Sequence, residues 1–296
     1  MLRRLSRSLP SAFASLLKLS VGLSALAVAL ASGVRPAAEV LDDAEVARFI
    51  GVGPQVSARM ERAAAHLAAG DVAEAAATAD SLLVELANLN RDPENTLGTT
   101  LIGELALQAV VIRNAALLAS GPFPDGFRGA FLNSAVNGAT LTDWSLGVPA
   151  SVTLAQAILE SDWGRSAPGN NLFGMKGEGP AGAVKRRVVE YRHGVRRIRT
   201  ASFRLYNAPE ESIADHARVL AESPRYAAAR KVAEDASAYA RALQGTYATD
   251  PRYAKKLAAI ADHYALQRFD WHTAPPLEEG GIADAEPGTS VEAPGN

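Results

Sequence analysis

Apolar positions along this chain change their rhythm three times, and each rhythm predicts a different element. From Leu19 to Ala31 they form a dense, uncharged run of 13 residues broken only by small residues. Between Gln55 and Ser120 they recur every three to four positions, which predicts helices over about 55–69, 71–89 and 99–120. Gly70-Asp71 separates the first two, and Asp71 suits an N-cap because its short side chain can accept from first-turn amides. After the turn-forming stretch Gly121-Pro122-Phe123-Pro124-Asp125-Gly126 the helical rhythm returns over about 127–136, 151–162, 212–222, 236–244 and 252–266. It is broken once, between Val184 and Leu205, by strand-like segments flanking His193-Gly194, where glycine supplies the backbone freedom of a tight turn. Helices, one hairpin, then helices is an α+β order in which helix predominates.

These rhythms divide the chain into a leader at 1–33, a helical segment at 41–121, a second domain at 125–270 and a tail at 273–296. The leader carries Arg3, Arg4, Arg7 and Lys18, has no acid before Glu39, and meets the small-x-small pattern Ala29-Leu30-Ala31. Its apolar run is short against the roughly 20 residues of a membrane span. A secretory signal is expected, with an uncleaved anchor or a transit peptide as the other readings. The helix over 99–120 is strongly apolar, but Glu104, Gln108, Arg113 and Asn114 interrupt it, so a core or partner-facing helix is expected rather than a span. The 55–120 helices are thus a candidate surface for a protein partner. The tail holds Pro275, Pro276, Pro287 and Pro294 with no Lys or Arg, a composition expected to be disordered.

A formal net charge of -2 over 296 residues gives no reason to expect a nucleic-acid partner. Cysteine is absent, which removes thiol nucleophiles, disulfides and thiolate metal sites. The five histidines show no H-E-x-x-H spacing, and there is no G-x-S-x-G elbow, Walker loop or dinucleotide fingerprint. No metal and no cofactor are expected.

The chemistry then rests on carboxylates. Glu160 ends the apolar stretch Leu154 to Ser161; Leu154, Ala157, Ile158 and Ser161 share one helical face, with Glu160 at its border. A carboxyl held partly out of water favours its protonated form and serves as a general acid. Taken alone, the same residue also fits the surface of an Ala-rich helix. Glu190 is the only acid among eight basic residues from Lys185 to Arg204, which should keep it ionised. Two carboxyls with opposed environments are the arrangement used to hydrolyse glycosidic bonds, although Glu190 equally fits a cross-strand ion pair. Asn170-Asn171-Leu172-Phe173-Gly174 offers amides and an aromatic face for a sugar, and Tyr247 and Tyr253 could add to a cleft wall.

Several blocks occur together: Gly147 to Ser151 running into Leu154–Gly164, Asn170 to Gly177, Val189-Glu190-Tyr191, Ala201 to Tyr206, Pro224-Arg225-Tyr226 and Tyr247 to Tyr253. In this order, over about 127–269, the chain resembles the glucosaminidase-type peptidoglycan hydrolases, glycoside hydrolase family seventy-three, which include the C-terminal domain of the flagellar rod-associated hydrolase and many autolysins. The resemblance implies a lysozyme-like domain with a β-hairpin lobe and an exported enzyme, periplasmic or extracellular, that cleaves the β-1,4 bonds of peptidoglycan glycan strands as an endo-β-N-acetylglucosaminidase. It makes Glu160 the general acid and Glu190 the second carboxylate, with Asn171, Phe173, Tyr191, Tyr247 and Tyr253 as substrate-binding candidates. Asp162 stands where the family commonly has a small residue, Val189 replaces a frequent threonine, and Tyr247 lies one residue further from Gly245. An Asp162 charge close to Glu160 would raise the acid's pKa further. A lytic transglycosylase and a non-catalytic wall-binding protein are the alternatives.

Overall fold

The computed structural model describes residues 43–92, 99–121, 123–192 and 195–271; the side chains of 43–54, 100 and 188–197 lie outside that description. The expected leader, the His193-Gly194 turn and the tail from Thr273 fall outside the described residues.

The described chain separates into two compact units, divided between Ser120 and Gly121. The first contains α1 (Asp43–Ala69), α2 (Val72–Arg91) and α3 (Thr99–Ser120). Gly70 ends α1 with φ +84°, a left-handed conformation that costs glycine nothing. Asp71 stands at the N-cap of α2, but its side chain makes no capping hydrogen bond and lies 3.7 Å from His66 Nδ1 instead. Leu82, Leu83 and Leu86 of α2 are buried in this unit, as are Ile102, Ala106, Ala109 and Val110 of α3. By length and composition α3 is apolar enough to cross a membrane, yet half of that stretch is buried inside the unit. Its buried Arg113 donates through Nε to Asp80 Oδ1 at 2.6 Å, so the charge inside the helix stack is paired.

The second unit runs through α4 (Gly126–Leu146), α5 (Ala150–Ser161), β1 (Ala183–Arg192), β2 (Val195–Arg204), α6 (Pro209–Glu222), the short α7 (Ala227–Arg230), α8 (Ala236–Leu243) and α9 (Tyr253–His263). Single 3₁₀ turns cover Pro168–Asn170, Pro224–Tyr226 and Leu266–Phe269. The mainly helical α+β order expected from the sequence is the order observed. α4 continues ten residues past the predicted end at 136 because its buried positions there mix polar side chains, Thr140, Thr142 and Asp143, with Leu141 and Trp144. Thr142 and Ser145 donate back to the carbonyls of Ala139 and Leu141 at 2.9 and 2.8 Å, which satisfies the hydroxyls inside the helix.

β1 and β2 form one antiparallel pair, registered from Ala183 opposite Arg204 to Arg192 opposite Val195. Ten residues per strand extend roughly 30 Å at the rise of a β-strand. The base of this ribbon is tied to the loop after α5. Arg204 N donates to Met175 O at 2.9 Å and Gly177 N to Ser202 O at 3.0 Å.

Candidate active site

Helix α5 carries Glu160, and its placement begins at the other end. Two buried carboxylates receive the first amides of the helix: Asp143 Oδ2 accepts from Ala150 N at 3.0 Å, and Asp270 Oδ1 accepts from Ser151 N at 2.6 Å. Ser151 Oγ donates to Asp270 Oδ2 at 2.7 Å, while Asp143 Oδ2 also accepts from Trp271 N at 2.8 Å. Negative charge at a helix N-terminus satisfies otherwise unpaired donors and complements the helix dipole. These bonds clamp α5 to α4 and to the end of the domain.

Every residue from Ala150 to Ile158 is buried. The expected partition into one buried face with Glu160 at its border is therefore corrected: α5 is enclosed on all sides, and Glu160 keeps partial exposure because it lies in the last turn. That turn ends in three successive left-handed residues, Asp162 (φ 50°), Trp163 (φ 60°) and Gly164 (φ 78°). The first two are unusual conformations for residues bearing a Cβ, and their neighbours hold them. The Trp163 ring meets Tyr264 and Phe131 edge-on at 4.8 and 5.9 Å between centroids, and Ser161 Oγ accepts from Gly164 N at 2.7 Å. Asp162 turns away as an ion pair with Arg165, whose Nη2 reaches both carboxylate oxygens at 2.8 and 2.7 Å. It is not among the groups that shift Glu160.

Glu160 Oε1 accepts a hydrogen bond from Tyr253 Oη at 3.0 Å, and Tyr253 Oη accepts from Gln156 Nε2 at 2.9 Å. Gln156 precedes Glu160 by one helical turn on α5, and Tyr253 opens α9. Burial raises the Glu160 pKa; the Tyr253 hydrogen bond and the nearby positive charge of Lys256 oppose it without cancelling it. Lys256 is held by Asp250, Nζ to Oδ2 2.5 Å, and Asp250 Oδ1 accepts from Arg252 N at 2.8 Å. Burial and the Glu160 charge push the Tyr253 phenol far above its usual range, so it remains a donor.

Behind Tyr253 runs a column of rings. Tyr247 stacks on Tyr253 at 5.8 Å, His216 meets Tyr247 edge-on at 5.6 Å, and Phe173 stacks on His216 at 3.8 Å with planes 8° apart. All four are buried. The expectation that Phe173, Tyr247 and Tyr253 present surfaces to a sugar is corrected accordingly: Tyr253 touches the acid, while Phe173 and Tyr247 back it from within the core. Asn171 is likewise internal. Its Nδ2 donates to the carbonyls of Met175 and Arg204, both at 2.9 Å, and its Oδ1 accepts from Met175 N at 2.8 Å. Both amide hydrogens join the post-α5 loop to the base of the hairpin, and burial keeps the group away from the surface. An aromatic or an amide in sequence does not reveal which way it faces.

Glu190 and Tyr191 lie on β1, paired with Arg197 and Arg196 of β2. Their side chains lie outside the described residues. Gln156, Lys256, His216, Asp143 and Asp270 were not singled out from sequence. Only Gln156 carried a signal, its spacing of four from Glu160.

Residues 140–266 match the family model described as glucosaminidase, mannosyl-glycoprotein endo-beta-N-acetylglucosaminidase. Over this stretch the chain carries a domain of the glucosaminidase family. Its relatives include the exo-glucosaminidase LytG of Bacillus subtilis, 42% identical over 128 residues that make up 40% of this chain and 45% of that protein. The peptidoglycan hydrolase FlgJ of Escherichia coli K12 is 39% identical over 140 residues, 43% of this chain and 44% of its own length. A probable N-acetylmuramidase of Lactococcus lactis is 40% identical over 151 residues, 48% of this chain and 34% of its own. The chain thus spans less than half the length of these relatives.

Proposed function

We propose that the glucosaminidase-family domain of this chain is a peptidoglycan hydrolase of the endo-β-N-acetylglucosaminidase type, with Glu160 as its general acid. The observation that carries this reading is the Glu160 carboxyl itself. It stands at the edge of solvent, is shifted toward its protonated form by burial, and has one oxygen held by a buried tyrosine. In the reaction Glu160 passes its proton to the glycosidic oxygen as the bond from that oxygen to the anomeric carbon breaks. A water molecule adds its oxygen to the anomeric carbon and loses a proton, with help from Glu190 or from the substrate's own N-acetyl group, and Glu160 is reprotonated from solvent. The basic hairpin is expected to keep Glu190 ionised for that task.

The site of action follows from the substrate. A peptidoglycan hydrolase works outside the cytoplasm, and the basic, acid-free segment before Leu19 followed by the apolar run to Ala31 supports export.

The printed names of the relatives differ on the bond cut, one a glucosaminidase and another a probable muramidase. Mass spectrometry of a borohydride-reduced digest of purified peptidoglycan decides between them. Reduced N-acetylglucosamine ends are expected. Reduced muramic acid ends would make the domain a muramidase, anhydro ends a lytic transglycosylase, and co-sedimentation without new ends a binding protein. In the same assay a large loss in Glu190→Gln supports a second carboxylate, and a small one supports assistance by the N-acetyl group.

A further inference from the structure

We infer that Gln156 is a positioning residue for proton transfer: acting through Tyr253, it fixes which oxygen of Glu160 carries the acidic proton. The inference rests on the proposed role of Glu160 as general acid.

A tyrosine hydroxyl has a single proton to donate. Gln156 Nε2 donates into the Tyr253 oxygen at 2.9 Å, so the phenolic proton must point elsewhere, and Glu160 Oε1 lies 3.0 Å away to accept it. A carboxyl oxygen that already accepts this proton is a poor place for a second one. The acidic proton of Glu160 is therefore held on Oε2, the oxygen not engaged by Tyr253. Gln156 has no exposed surface and Tyr253 is 2% exposed, so bulk water is excluded from both partners.

The direction of this relay is set by the carboxamide. Gln156 Oε1 is buried without a hydrogen-bond partner among the described residues. Were the amide turned over, Oε1 would accept the tyrosine proton, Tyr253 would accept from Glu160, and the catalytic proton would face the core instead of the substrate. Amide orientation thus separates a productive acid from a stalled one.

Other charged and titratable groups do not compete for this role. From α9, Lys256 acts on Glu160, while the Glu160 charge and Tyr226 act on the phenols of Tyr247 and Tyr253. Asp250 holds Lys256, and Arg165 holds Asp162. Asp143 of α4 and Asp270 beyond the last 3₁₀ turn bind the opposite end of α5. Arg268 in that turn lies over the Phe269 ring.

The test is the pH dependence of peptidoglycan hydrolysis by the full chain carrying Gln156→Leu, Tyr253→Phe, or both. The hydrogen bond from Tyr253 favours the ionised acid, so weakening it raises the Glu160 pKa and moves the alkaline limb of kcat/KM to higher pH. Gln156→Leu is expected to lower kcat about tenfold with KM changed less than about twofold, and to move that limb upward. Tyr253→Phe moves it further the same way, and the double variant matches Tyr253→Phe alone because Gln156 acts only through the tyrosine. An unmoved limb in Gln156→Leu, or effects that sum in the double variant, overturns the inference. Gln156→Met, closer in shape, is carried through the same profiles with thermal melts beside them. A change in melting temperature with an unmoved limb means that Gln156 only packs. If Glu160→Gln keeps full activity, the general-acid reading itself fails; if it is inactive while the Gln156 profiles stay in place, only this inference fails.

Discussion

Tyr253 Oη lies 3.0 Å from Glu160 Oε1, across 93 residues of sequence, and the hydrogen bond between them sets a competition inside the site. Burial favours the neutral acid, while the tyrosine proton and the Lys256 charge favour the carboxylate. Burial prevails, and that is the state in which a carboxyl can give a proton away.

The same imbalance makes stability depend on pH. A carboxyl whose folded pKa is raised binds more protons in the folded state than in the unfolded state above its ordinary value of 4.5. Its stabilising contribution is complete below 4.5 and is lost as pH rises through the folded pKa. Glu160→Gln carries no such charge and should melt at a higher temperature relative to the parent at pH 8 than at pH 4. Equal differences at both pH values, by calorimetry, would show that Glu160 is not desolvated.

His216 is predicted to drive acid unfolding in the opposite sense. It is fully buried against Phe173, neither ring nitrogen has a hydrogen-bond partner among the described residues, and burial pushes its pKa from 6.5 down to about 3. A depressed pKa contributes stability that is whole above pH 6.5 and lost as pH falls toward 3. The linked loss over the whole interval is on the order of 5 kcal/mol. His216→Phe keeps a ring on Phe173 and should flatten urea midpoints between pH 6 and 4. A parent-like slope would rule His216 out as the source.

Asp270 anchors the helix that carries the acid. Asp270→Asn weakens two charge-assisted bonds to Ser151 and should cost about 1–3 kcal/mol in urea unfolding. Activity should fall as well, because α5 loses one of the two clamps that place Glu160. A full-stability, full-activity Asp270→Asn would mean that Asp143 alone suffices.

Gly164 closes the left-handed exit from α5. A Cβ there would meet Phe131 Cδ2 at 3.1 Å at a backbone φ of +78°. Gly164→Ala should destabilise by about 1–3 kcal/mol and disturb the Trp163 contacts, seen as a change in tryptophan fluorescence. An unchanged melting temperature would show that the turn can relax without loss.

How much of this was legible in the chain depends on the range of each interaction. α3 and the hairpin are written in local periodicity, and their expected bounds agree with the observed ones within a residue or two. α4 was cut short because Thr140, Thr142 and Ser145 read as polar although their surroundings enclose Thr140 and Thr142 completely. Glu160 was found through the ordered blocks around it. Its partners were not, because Gln156 and Tyr253 meet across 97 residues, and no local pattern records which side chains a fold will bring together. By residue type Asn171 and Phe173 suit a sugar, while packing commits both to the interior.

The most direct test of the central claim is the release of reducing ends from purified peptidoglycan by Glu160→Gln beside the parent protein, with circular dichroism to confirm that both are folded. The amide keeps the shape of the side chain but has no acidic proton to donate. The account predicts a loss of at least about a hundredfold in kcat with the fold intact. A folded Glu160→Gln that releases reducing ends at the parent rate would contradict it.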